Sequence, residues 1–171
     1  MNTFNTLRRQ HGVTLIELMV VISVLGILAG VAVPNMLDWI RDARLATQSD
    51  LLVSGLANAR LDAIKRRSDS TFCPAASANS ASDCSASASD WSKGWLIRNS
   101  GAIEQRFTVQ KDITISNTTA SSVIFNGTLG SAQAASTFTI CADGRKEHIV
   151  EVSLSGHISK RIGTNVCGAS T

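Results

Sequence analysis

The sequence predicts an α+β chain: a long N-terminal hydrophobic α-helix packed on a C-terminal domain of two small antiparallel β-sheets. Three observations carry this expectation. The segment Leu18–Val33 contains no charged residue. Apolar residues then recur at helical spacing to about Arg67. Beyond Arg67 the chain changes to short alternating runs divided by turn signals, the pattern of small antiparallel sheets.

The helix comes first. The run Val13–Val33 adds only Glu17 as a charge and would rise roughly 30 Å as a helix, the thickness of a bilayer core. Ahead of it lies a polar leader, Met1–Gly12, with Arg8, Arg9 and His11. Basic residues before an apolar span hold the N-terminus on the cytoplasmic side. A buried core helix explains the run less well, because few soluble helices are apolar all round for so long. A cleaved secretory signal also fits less well, since Glu17 interrupts its apolar stretch. A carboxylate in a membrane span is costly and makes Glu17 a functional-site candidate; the plainer reading is that it snorkels to the interface at the cytoplasmic end. If the chain were cut after Gly12, the new α-amino group of Val13 would lie one helical turn from Glu17. It could then neutralise that carboxylate in its own chain or in a neighbour.

Pro34 removes one backbone donor and is expected to bend the helix rather than end it. Met36, Leu37, Ile40 and Leu45 continue the periodicity, and Leu52, Leu56, Ala59 and Ala63 form one stripe facing a core. Asp62 and Arg66 make an i,i+4 pair, and Lys65, Arg66 and Arg67 place positive charge where a helix C-terminus favours it. This cluster reads as helix-end chemistry rather than as a binding patch.

After Arg67 comes a short strand candidate at Thr71–Cys73. The stretch Ala75–Asp90 follows, twelve Ala or Ser in sixteen residues, expected to be a surface loop that adds nothing to a core. Further strands are expected at Gly94–Arg98, Ile103–Val109, Ile113–Ser116, Ser122–Asn126, Ser136–Cys141, His148–Leu154 and His157–Arg161. Val150, Val152 and Leu154 alternate with Glu151 and Ser153, and Phe138 and Ile140 alternate with threonines, as half-buried strands do. Asn99-Ser100-Gly101, Asn126-Gly127 and Ser155-Gly156 are the turns.

The chain has 171 residues, 44% of them apolar and only 17% charged, with a net charge of +3 and a mean hydropathy of +0.12. It is neither disordered nor polybasic. Aromatics are 5% with no Tyr, which argues against a base-stacking platform. The four cysteines, Cys73, Cys84, Cys141 and Cys167, suggest disulfides in an exported domain. Three pairings exist, and local order favours Cys73–Cys84 and Cys141–Cys167. No Cys pair has zinc-site spacing. His148 and His157 sit in neither metal-ligand nor triad spacing, and no phosphate-binding glycine loop is present. No enzyme, cofactor or metal is therefore expected.

The stretch Gly12-Val13-Thr14-Leu15-Ile16-Glu17-Leu18-Met19-Val20-Val21 resembles the class III signal of type IV pilins and type II secretion pseudopilins. The resemblance implies cleavage between Gly12 and Val13 by a prepilin peptidase, N-methylation of Val13 and retention of the helix. Val13 stands where the family usually has Phe. Glu17 matches the family's subunit-registration position and Pro34 its helix-kinking proline, and Gly26 and Gly30 lie in the segment that family members melt on assembly. Ala59–Lys65, Lys93-Gly94-Trp95 and Val123-Ile124-Phe125-Asn126-Gly127 resemble landmarks of H-type pseudopilins and FimT/FimU-like minor pilins.

The implied organisation is a leader at 1–12, a membrane and polymerisation half-helix at 13–40, an amphipathic half at 41–67 and a periplasmic β-rich pilin domain at 68–171. The implied role is a minor pilin of a type IVa pilus, priming assembly at or near the tip. Its partners would be other minor pilins, the major pilin, the prepilin peptidase and the inner-membrane assembly platform. The alternatives are an H-type pseudopilin of a type II secretion system, or a DNA-binding minor pilin for natural transformation. DNA contact would fall to Arg145, Lys146, Lys160 and Arg161. It is disfavoured, because the Gly-Arg-x-Arg motif of DNA-binding relatives is not reproduced. Loss of Arg8 and Arg9 with the leader also leaves a formal charge of only +1, little long-range attraction for DNA.

Overall fold

The computed structural model describes residues 12–118 and 121–168, apart from the side chains of residues 31–35. The leader arginines Arg8 and Arg9, with His11, lie outside the described residues, as does the side chain of Pro34. Helix α1 runs Leu15–Arg66 without interruption, so its backbone does not end at Pro34. The chain divides into two compact units, the first ending at Trp39 and the second beginning at Ile40.

In the first unit, the apolar side chains from Val13 to Leu28 are exposed, as are Met36, Leu37 and Trp39. Among the described residues no helix is long and apolar enough to cross a membrane. Of the expected span, Leu15–Gly30 has described side chains, and that part rises only roughly 24 Å. Residues 31–33, which complete the run, fall among the side chains that are not described.

In the second unit, Leu45, Gln48, Ser49, Leu52, Leu56, Ala59 and Ala63 form the buried stripe of α1. The spacing predicts its apolar members, because residues three and four apart share one face. Gln48 is an exception to apolar patterning. It is fully buried, accepts from the Gln110 N–H (3.2 Å) and donates to the Thr108 carbonyl (3.5 Å). These bonds satisfy the buried amide of Gln48 with backbone groups at the end of β3 and just beyond it. Gly55 sits on the same face, where an added Cβ would lie 3.1 Å from both Phe72 and Trp95. Its lack of a side chain lets the aromatic rings reach the helix.

Among the described residues eight strands follow: β1 Ser70–Pro74, β2 Gly94–Asn99, β3 Ala102–Thr108, β4 Ile113–Asn117, β5 Val123–Phe125, β6 Ser136–Ala142, β7 Lys146–Val152 and β8 Ile158–Val166. They form two antiparallel four-stranded sheets, ordered β3-β2-β1-β5 and β4-β6-β7-β8. The β2–β3 hairpin turns on Ser100 (φ 48°) and Gly101 (φ 85°). Two positive φ values match the right-handed twist of flanking strands. Phe72 of one sheet and Phe138 of the other meet edge-on at 6.3 Å, and Trp91 stacks on Phe72 (5.7 Å) while meeting Phe138 edge-on (5.0 Å). These three rings join the sheets.

Apart from β7, which runs Lys146–Val152 rather than His148–Leu154 and leaves Leu154 exposed beyond it, two expectations need correction. The Ala/Ser stretch is built into the fold: Ala75 is buried with Cys73 and Leu96, and Ala78 is buried as well. Its backbone is held by Arg106, whose Nη1 donates to the carbonyls of Ala78 (3.1 Å) and Ala81 (2.6 Å), and by the Cys73–Cys84 bond. Small side chains let the segment lie close against the sheet. It ends in a 3-10 turn, Ala88–Ser92, where hydrogen bonds from Lys93 and Ser85 hold the Asp90 carboxyl below its usual range. The second correction concerns β8, which extends to Val166 rather than ending at Arg161. Its second half bulges opposite β7. There Asn165 donates to Glu147 (2.8 Å), and Gly163 leaves room for the Glu147 side chain.

Candidate functional site

Gly12, Val13 and Thr14 precede the helix, and all three are exposed. The Glu17 N–H donates to Thr14 Oγ1 (3.3 Å), and the Leu18 N–H donates to the Thr14 carbonyl (3.1 Å). Thr14 is therefore the N-cap and Glu17 the third helical residue, the Thr-x-x-Glu spacing of a capping box. A carboxylate here is also favoured by the helix dipole. The four-residue spacing Thr14-x-x-Glu17 encodes this local role, in addition to the charge pairing and registration expected of Glu17.

The cysteines pair as Cys73–Cys84 and Cys141–Cys167, each with Cα atoms 5.6 Å apart. All four thiols are thereby consumed and none is free to ligate a metal. The second bond ties the end of β8 to β6.

The four C-terminal cations do not form one patch. Lys160 pairs in register with Val150, and Lys146 with Val166, which puts roughly 13 Å of strand between Lys146 and Val150. Successive residues of a strand face opposite ways: Lys160 bonds Asp50 of α1, while Arg161 bonds Glu151 (3.0 Å). Arg145 reaches Asp42 (3.5 Å). Three of the four are thus in ion pairs within the chain. Exposed pairs of this kind add little stability, but they reduce the charge offered to a polyanion.

Between α1 and the β7–β8 hairpin lies a groove of about 580 Å3, with Leu45, Ala46, Ile162 and Val166 along it and Arg145, Lys146 and His148 beside them. His148 lies on β7. It is half-buried, with Nδ1 2.9 Å from Ser49 Oγ. Ser49 Oγ also lies 2.8 Å from the Ala46 carbonyl, to which it donates. Burial, and then the Lys160 ammonium, lower the His148 imidazole below its ordinary 6.5, against an opposing pull from Asp50 and Asp42. The folded chain therefore takes up this proton at lower pH than the unfolded chain does. The associated stability is complete above pH 6.5 and is lost as pH falls through the depressed folded value. The melting temperature is expected to fall on acidification below pH 6.5, and His148→Asn should flatten that part of the profile. An unchanged slope in the variant would assign the loss to other groups.

The N-terminal segment, residues 7–33, matches the family model for the prokaryotic N-terminal methylation motif. The model for type II transport protein GspH matches residues 48–156, more than half of the chain. The chain belongs to the GspH family. In this GspH-family chain the methylation motif takes in Gly12, Val13 and Glu17, and Pro34 lies just beyond it. The GspH match takes in Cys73, Cys84, Cys141, Arg145, Lys146 and His148. Lys160, Arg161 and Cys167 lie outside it.

Two crystal structures of the Pseudomonas aeruginosa (strain PAO1) type IV minor pilin FimU are similar to it. The P21 form has 20% identity and a TM-score of 0.54, covering 72% of this chain and 92% of that one. The P65 form has 21% identity and a TM-score of 0.50, covering 68% and 91%. At this identity the likeness shows the fold: the α+β pilin architecture of a helix on two antiparallel sheets. Among curated proteins none matches the chain significantly.

Proposed function

We propose that this chain is a minor pilin of a type IVa pilus that helps prime assembly and sits at or near the tip. The observation that carries the reading is the joining, in one chain, of a methylation motif over residues 7–33 with a fold like that of a type IV minor pilin. The leader is removed between Gly12 and Val13 by a prepilin peptidase, and Val13 is methylated. The apolar helix then waits in the inner membrane with the β-domain in the periplasm. The assembly platform extracts it into a bundle with the major pilin and other minor pilins. Glu17 pairs with a subunit N-terminus and registers the bundle, and Pro34 kinks the helix. Assembly is non-covalent, driven by burial of side chains that are exposed in the isolated subunit from Val13 to Leu28.

The second reading is an H-type pseudopilin, supported by the type II transport description of the family. DNA binding gains least support, because Arg145, Lys160 and Arg161 are engaged with carboxylates. Glu17→Ala is expected to abolish co-purification with the other minor pilins and reduce piliation while leaving the domain folded. Unchanged piliation and co-purification would reject the assembly role. A loss of protein secretion instead of pili would favour the pseudopilin.

A further inference from the structure

Of the three tryptophans, Trp91 and Trp95 are fully buried in the domain core, whereas Trp39 is 68% exposed on α1. Trp39 stands at a boundary in the sequence. No charge occurs from Leu18 to Leu37, and the bracketing charges are Glu17 and Asp38. α1 is continuous between those two residues, and at helical rise they are separated by roughly 30 Å, one hydrocarbon core. Trp39 is the first residue past the second charge. An indole is apolar over its faces with one N–H donor, so it is best placed where hydrocarbon gives way to lipid carbonyls and phosphates. A ring in mid-bilayer would strand its N–H, and a ring fully in water would expose its large apolar face.

We propose that Trp39 is a membrane-interface anchor: while the subunit waits in the bilayer, its indole sits in the phospholipid glycerol and headgroup layer on the domain side. It fixes the depth of the helix in the bilayer. The proposal rests on the membrane-anchored reading above, and it sets the span at Leu18–Leu37 rather than Val13–Val33. A lipid surface is the favoured occupant because the position of Trp39 follows from the length of the charge-free run and not from any groove on the domain.

The test uses the full chain in vesicles of phosphatidylethanolamine and phosphatidylglycerol. Subtracting the emission of Trp39→Phe removes the contribution of Trp91 and Trp95. The chain is expected to float with the vesicles. The Trp39 signal should be quenched several-fold more by lipids brominated near the glycerol end of the acyl chain than by lipids brominated near its methyl end. Stronger quenching from the methyl end would bury the ring in hydrocarbon and overturn the proposal. Flotation with no quenching from either lipid would put Trp39 in water or against protein, overturning the proposal while anchoring stands. Failure to float would overturn both.

Discussion

Phe138→Ala is expected to destabilise the domain by about 3–5 kcal/mol, the range for removing a buried aromatic ring. Phe138 is fully buried at the point where the two sheets meet, edge-on to Trp91 and Phe72. Its removal opens a cavity and breaks both ring contacts. The neighbours cannot close around it easily. Phe72 is held in register with Ile97 and Val123, and Trp91 belongs to a turn whose Ser92 hydroxyl accepts from the Ile115 N–H (2.9 Å) and donates to the Ile115 carbonyl (3.1 Å). Urea unfolding of the unit from Ile40 onward, followed by tryptophan emission, measures the loss. Because domains have only about 5–15 kcal/mol in hand, the variant should show a much lower midpoint with an unchanged slope. A loss below about 1 kcal/mol would mean the sheets are joined elsewhere.

The second large effect is expected from opening the Cys141–Cys167 bond. Cys141→Ala/Cys167→Ala should cost about 2–4 kcal/mol. The bond spans a sequence separation of 26, against 11 for Cys73–Cys84, so its chain-entropy term is the larger by about 0.8 kcal/mol. Its position adds to this. β8 is an edge strand whose second half is bulged against β7, and the bond fastens the end of that half. Protection of the β7–β8 amides should fall first, which hydrogen exchange on the double variant would register. Equal protection in both proteins would show that the bulged half of β8 holds itself.

Much of this fold is legible in the sequence because its signals are local. Phe138 and Ile140 alternate with threonines, and Leu52, Leu56, Ala59 and Ala63 keep one helical face. Ser100-Gly101 supplies the positive φ values of a two-residue turn. What was missed depends on partners distant in the chain. Nothing near Gln48 announces that its amide will serve the backbone at Thr108 and Gln110. The Ala/Ser stretch looks structureless until Arg106 and Cys73 close on it. The extension of β8 is hidden because Gly163 and Asn165 break the alternation, and their partner is Glu147 on the neighbouring strand. At the N-terminus both the motif and the capping relation of Thr14 to Glu17 are local, since the two residues are three apart. The burial of His148 is not legible locally, since its partner Ser49 is on α1.

The most direct measurement is the intact mass of this chain recovered from sheared pili, compared between cells with and without the prepilin peptidase. The account predicts a chain in the pilus fraction that begins at Val13, carries one added methyl group and keeps both disulfides, and a chain beginning at Met1 and confined to membranes without the peptidase. A chain that begins at Met1 in both cells and is absent from the filaments would contradict it.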